Sequence, residues 1–182
     1  VIGFDIDKKK ISLLSKNISY INHISNKKIQ TYKKNFIVTS NFKKISEVEV
    51  IILCLPTPIT KNNLPDLSFI KSTLTSIKKY LIAGHLIILE SSTYPGSTKK
   101  TILPYLKDFK VGENFFLGYS PEREDPNNNK FKIEKIPKVC SGFTKRCLNL
   151  VAHLYKNVVK EIVKVSNIET AEFTKLYENI YR

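Results

Sequence analysis

The sequence predicts an α/β protein with a doubly wound, mainly parallel sheet, and three observations carry that reading. Short apolar runs of strand type alternate with segments of helical periodicity, the links between them are mostly short, and the polar, proline-rich turns follow the strand-type runs. Residues 1–7 read as a short strand ending in the acids Asp5 and Asp7, and residues 8–16 as a helix with Ile11 and Leu14 on one side. Residues 17–35 are rich in Asn and Ser and are expected to be loop with some helix. A second strand falls at 36–39 and a helical turn at 41–46. Residues 50–55 form an unbroken apolar run, which suits a strand covered on both faces, and Pro56-Thr57-Pro58 ends it.

Asp66 is read as the N-cap of the clearest amphipathic helix, in which Leu67, Ile70, Leu74, Ile77 and Leu81 recur at steps of three and four. Gly84 supplies the stop signal, and the strand Leu86-Ile87-Ile88-Leu89 runs into Glu90-Ser91-Ser92-Thr93-Tyr94-Pro95-Gly96. A helix is expected at 97–106, strands at 115–119 and 138–140, a helix at 144–155, a strand at 158–163, and a last helix capped by Ser166. In a sheet wound this way, right-handed crossovers bring the loops after the strands to one edge, where ligands bind. Four turns belong there: residues 5–7, 56–58, 91–96 and 120–125.

A chain of 182 residues can bury one good core and begin a second module. The net charge of +14 raises a nucleic-acid reading. Nearly every cation is Lys, however, with Arg123, Arg146 and Arg182 the exceptions, and the lysines are scattered rather than set in an aromatic-studded stripe. A solvated lysine surface is therefore expected, and no nucleic-acid partner. Cys54, Cys140 and Cys147 are odd in number and lack metal-site spacing, so reduced core thiols in a cytoplasmic protein are expected, with no metal. The apolar run at 50–55 is far too short to span a bilayer, and no membrane partner is expected. The first residues already read as strand and the last lie in mid-helix, so the chain reads as a fragment cut at both ends.

Two turns and one helix face carry possible chemistry. An acid at the end of a strand, as Asp5 is, accepts hydrogen bonds from ribose hydroxyls and disfavours a 2′-phosphate; it can equally be a helix cap, a role for which Asp7 is better placed. Glu122 beside Arg123 can serve as a general base or form a surface ion pair. Lys175 and Asn179, four apart with Glu172 one turn earlier, can stabilise an oxyanion or form an exposed polar face.

Four segments in order narrow these alternatives: Gly3-Phe4-Asp5-Ile6-Asp7, Leu55-Pro56-Thr57-Pro58, Glu90-Ser91-Ser92-Thr93-Tyr94-Pro95-Gly96-Ser97-Thr98 and Ser120-Pro121-Glu122-Arg123-Glu124-Asp125-Pro126. Together they resemble the UDP-glucose/UDP-N-acetylmannosamine dehydrogenase family, and Lys175-Leu176-Tyr177-Glu178-Asn179 resembles that family's K-L-x-x-N helix. The resemblance covers essentially the whole chain. It implies a Rossmann-like domain over 1–165, without its first glycine-rich strand and turn, and the start of a central dimerisation helix over 166–182. It also implies NAD as cofactor, a UDP-sugar as substrate and a homodimer in the full-length parent.

Family members oxidise the sugar C6 alcohol to a carboxylate with two NAD+ and a cysteine thioester. By motif, Asp5 would bind the adenosine ribose, with Lys10 nearby. Thr57 would line the dinucleotide path. Ser92 and Thr93 would stand near the nicotinamide, Thr93 placing a water. Glu122 would assist thioester hydrolysis, Lys175 and Asn179 would hold charge on the C6 oxygen, and Arg123 and Arg182 would contact substrate. The Ser120–Pro126 form followed by Ile136-Pro137-Lys138-Val139 is most similar to UDP-N-acetylglucosamine 6-dehydrogenases of surface-polysaccharide pathways, with UDP-glucose or UDP-N-acetylmannosamine as alternatives. None of the three cysteines lies in the glycine-rich context of the family's nucleophile, and Ser141 stands where the family usually has Gly. The expectation is that these 182 residues alone do not turn over substrate. The competing reading is an inactive remnant of such an enzyme.

Overall fold

The computed structural model describes residues 1–122 and 136–181, and its chain divides into two compact units, 1–44 and 45–182. In the first, β1 (Ile2–Phe4) pairs parallel with β2 (Ile37–Thr39), Gly3 lying opposite Val38. A parallel pair needs a crossover, and α1 (Lys8–Ser15) and α2 (Asn26–Tyr32) lie within it. Asp7 caps α1 by accepting from the Lys9 and Lys10 amides at 2.8 and 3.4 Å, as the sequence predicts. The helix α2 lies inside the stretch expected to be loop with some helix; the Ser25 hydroxyl caps it through the Lys28 amide.

The second unit holds a five-stranded sheet in the order β3 (Val50–Leu53), β4 (Leu86–Leu89), β5 (Phe116–Tyr119), β6 (Lys138–Gly142), β7 (Ile162–Lys164). All neighbours are parallel except β5 and β6, which run antiparallel with Gly118 facing Gly142 and Tyr119 facing Ser141. Its helices are α3 (Ser68–Ile77), α4 (Ser97–Ile102), α5 (Lys145–Lys156) and α6 (Ile168–Tyr181).

Alternation along the strands splits the core into two faces. Leu86, Ile88, Phe116 and Cys140 pack with Cys147, Val151 and Tyr155 of α5 and with Val159. The intervening residues Ile87, Leu89, Leu117, Tyr119 and Val139 are also buried, and α6 lies against β5 and β6. Helix α5 approaches its face so closely that a Cβ on Gly142 would stand 2.2 Å from the Leu148 amide nitrogen, a backbone atom that cannot swing away. The neighbouring Ser141 is accommodated: its buried hydroxyl donates to the Tyr119 carbonyl at 2.8 Å.

Several expectations shift. Leu67, not Asp66, is the N-cap position of α3; the Asp66 carboxylate instead accepts the Ser68 amide at 2.8 Å, closing a turn one residue early. The Asn167 side chain, rather than Ser166, accepts the Thr170 amide at the start of α6. Strand β7 begins only at Ile162, because the Val158 and Val159 amides still bond the Tyr155 carbonyl and finish α5. The strand at 50–55 is not covered on both faces: β3 is the end strand of its sheet, Ile51 and Leu53 are buried, and Ile52 is 42% exposed. Cys54 is consequently not a core thiol; Cys140 and Cys147 are buried.

Candidate functional site

The parallel strands β3, β4 and β5 all end at one edge, so their following turns stand together there. Continuation of the ladder past the strand ends holds those turns: the Glu90 amide bonds the Leu53 carbonyl at 3.0 Å and the Ser120 amide bonds the Leu89 carbonyl at 3.1 Å. The turn after β3 is tied to the turn after β4, since Thr57 Oγ1 donates to the Ser92 carbonyl at 2.7 Å and the Leu55 amide to Ser91 Oγ at 2.9 Å. Beyond β4, residues alternate: Ser91 and Thr93 are buried, Ser92 and Tyr94 exposed. Gly96, at φ +85°, turns the chain in a left-handed conformation that glycine adopts without strain, and delivers it into α4.

Two carboxylate centres stand at this edge. The first is Glu172 of α6, fully buried and surrounded by donors from the turn after β4. It accepts from the Gly96 and Thr98 amides at 2.5 and 2.8 Å, from the Ser97 and Thr98 hydroxyls at 2.9 and 2.6 Å, and from Thr93 Oγ1 at 3.4 Å. A buried carboxylate is tolerated only when it is well hydrogen-bonded; here four donors converge on Oε1 and the Gly96 amide reaches Oε2. Burial also pushes the nearby Tyr119 phenol up, with the Glu172 charge adding to the effect. Glu172 thus joins the turn bearing Ser92 and Thr93 to the helix bearing Lys175 one turn later.

The second centre lies on the α5 face. Glu90 Oε1 accepts from Lys138 Nζ at 2.7 Å and from the Tyr155 hydroxyl at 2.6 Å, while Oε2 accepts from the Cys54 thiol at 3.4 Å. Lys138 Nζ also stands 3.3 Å from Glu122 Oε2 and 4.9 Å from the centre of the Tyr155 ring. Burial, and then the Glu90 charge, push the Cys54 thiol up to about 12 and raise the Tyr155 phenol as well. Both groups therefore remain protonated donors at neutral pH.

The sequence-predicted residues fall as follows. Thr57, Ser92 and Thr93 come together through the linked turns, and Glu122 pairs with Lys138. Arg123 and Arg182 lie outside the described residues, as does the Asn179 side chain; Lys175 is half-buried on α6. Asp5 belongs to the first unit, where its Oδ1 accepts the Asp7 amide at 2.9 Å and its Oδ2 stands 3.6 Å from Lys10 Nζ. Its carboxylate stays part-exposed and can accept further hydroxyl donors, so it fits a ribose. Glu172 is not part of an exposed polar face. The sequence reading missed Glu90, Lys138 and Tyr155. Glu90 had a visible signal, an acid closing an apolar strand. Glu172 also had one: it continues the buried stripe of Ile168 and Ala171.

Residues 1–159 match the family model described as the UDP-glucose/GDP-mannose dehydrogenase family, NAD binding domain. Over the full chain, similarity reaches 37% identity with Protein CapL of Staphylococcus aureus, covering 43% of that protein. It is 34% with a UDP-N-acetyl-D-glucosamine 6-dehydrogenase of Pseudomonas aeruginosa, covering 44% of it. The solved UDP-D-ManNAc dehydrogenase of Pyrococcus horikoshii superposes with a TM-score of 0.90 at 28% identity, over all of this chain and 44% of that one. The chain thus spans less than half the length of the relatives it matches. Among the described residues, no helix is long and apolar enough to cross a membrane.

Proposed function

The chain belongs to the UDP-glucose/GDP-mannose dehydrogenase family, and we propose that it forms the NAD-dependent half of an enzyme that oxidises the C6 hydroxyl of a UDP-sugar to a carboxylate. In this reading residues 1–165 are the NAD-binding domain and 166–182 begin the central helix through which a homodimer pairs. The enzyme works in the cytoplasm, in surface-polysaccharide synthesis, without a nucleic-acid or membrane partner. UDP-N-acetylglucosamine is the preferred substrate, which the resemblance to the 34%-identical Pseudomonas aeruginosa enzyme supports.

Bound NAD+ would supply the hydride acceptor for oxidation at C6. This chain's residues bind and orient around that event. Asp5, with Lys10 beside it, takes the adenosine ribose; Thr57 lines the dinucleotide path; Ser92 and Thr93 stand at the nicotinamide end. Lys175 and Asn179, with Arg123 and Arg182, hold the sugar and the charge on its C6 oxygen. Glu122 would take a proton from the water that attacks the thioester carbonyl, whose C–S bond then breaks to leave the sugar carboxylic acid and a cysteine thiolate, the acid losing its remaining proton to solvent. That cysteine lies outside these 182 residues.

The observation that carries this reading is the meeting of the Thr57, Ser92–Thr93 and Glu122 turns at one sheet edge within a matched NAD-binding domain. The test expresses the complete reading frame that encodes the chain and follows NADH absorbance with UDP-N-acetylglucosamine, UDP-N-acetylmannosamine and UDP-glucose. Highest kcat/KM with the first is expected. NADH formation by the isolated 182 residues would contradict the need for groups beyond them.

A further inference from the structure

We propose that Lys138 is a positioning residue for Glu122, anchored by Glu90 so that its ammonium holds the Glu122 carboxylate at the strand edge; this rests on the base role given to Glu122 above. The direction of β6 makes it possible. Because β6 runs antiparallel to β5, its first residue, not its last, lies at the edge where β3, β4 and β5 finish. Gly118 faces Gly142 and Tyr119 faces Ser141, so the same register, continued, sets Glu122 opposite Lys138. Side-chain alternation agrees: Ile88, Phe116 and Cys140 point to α5, and Glu90, Glu122 and Lys138 lie at even steps from them.

The contacts of the two carboxylates differ in a way that assigns the roles. Glu90 is nearly buried, its side chain 12% exposed, and is held by three donors. Glu122 is 48% exposed and touches the same ammonium at the longer distance of 3.3 Å. The Lys138 side chain is 9% exposed and its ammonium lies over the Tyr155 ring, which limits where it can go. One fixed carboxylate thus locates a cation, and the cation locates a second, accessible carboxylate. A counter-ion serving Glu90 alone has no reason to lie within ion-pair reach of the exposed acid.

The test uses the complete reading frame with Lys138→Met and Lys138→Arg. The positioning role predicts that Lys138→Met lowers kcat by about 10- to 100-fold, the loss expected from misplacing a reacting group by an ångström, with KM for NAD+ and for the UDP-sugar little changed. Lys138→Arg is expected to recover most of kcat, because a guanidinium can bridge both carboxylates. A Glu90→Gln variant, which keeps Lys138 but releases its anchor, is expected to lie between the two. Unchanged kcat in Lys138→Met overturns the proposal. So does a Lys138→Met enzyme whose kcat is recovered by a second substitution that only restores the unfolding midpoint, for then Lys138 serves the fold. Wild-type activity with kcat insensitive to Glu122→Gln removes the base role itself, separately from Lys138.

Discussion

Glu172 and Glu90 are buried carboxylates at the same sheet edge, on opposite faces, and they are satisfied by different means. Glu172 is filled by five neutral donors, two of them amides at the start of α4. Glu90 is filled by an ammonium, a phenol and a thiol, and shares that ammonium with Glu122. The first arrangement ties one carboxylate to fixed neutral donors of a single turn, so it acts as a brace between that turn and a helix. The second leaves a cation with two partners, so it can serve a neighbour as well as the fold. Neutral donors fix geometry, whereas a shared charge transmits it.

Substitutions at the two centres separate these roles. The largest effect is expected for Glu172→Leu, which strands five donors in the interior and is predicted to cost about 3–5 kcal/mol in urea unfolding. A cost below about 1 kcal/mol would mean the brace is dispensable. Next is Tyr155→Phe, which removes one donor to a charged acceptor while leaving Lys138 in place; about 1.5–3 kcal/mol is expected from the same measurement.

A titration sharpens the contrast. The Cys54 thiol is raised from 9.0 to about 12 by burial and by Glu90, so its contribution is fully present below pH 9 and is lost as pH rises through the folded value. At pH 8 the thiol stays protonated, and iodoacetamide labelling of Cys54 is predicted to be slower than that of a free cysteine. Glu90→Gln removes the charge and is expected to speed labelling, whereas Glu172→Gln on the other face leaves it unchanged. The smallest effect is expected for Thr57→Val. It loses one exposed hydrogen bond to the Ser92 carbonyl and costs about 0.5–1 kcal/mol, read in the same unfolding series.

Much of the fold was legible because it follows from periodicity. The buried residues Ile70, Leu74 and Ile77 of α3 and the fully covered run Leu86–Leu89 stand where their spacing put them. Caps were less legible: Asn167 stands beside Ser166 and takes the cap, while Asp66 closes a turn onto the Ser68 amide one residue before the N-cap position, Leu67. The Glu122 turn and the Thr57–Ser92 link were visible as motifs, and parallel strand direction brought them together. Lys138 was hidden because its role depends on the antiparallel register of β5 and β6, and a lysine opening a strand carries no sign of the strand's direction. The burial of Glu172 was legible from the stripe of Ile168 and Ala171, but its partners were not. Its five donors come from residues 93–98, more than seventy positions earlier, and nothing local to α6 announces them.

The most direct measurement is the NADH yield per UDP-N-acetylglucosamine for the complete reading frame, beside its Glu122→Gln variant. The account predicts about two NADH per sugar oxidised to the acid, and a kcat lowered by roughly 100-fold or more in the variant. No NADH from any of the UDP-sugars, or a variant as fast as wild type, would contradict it.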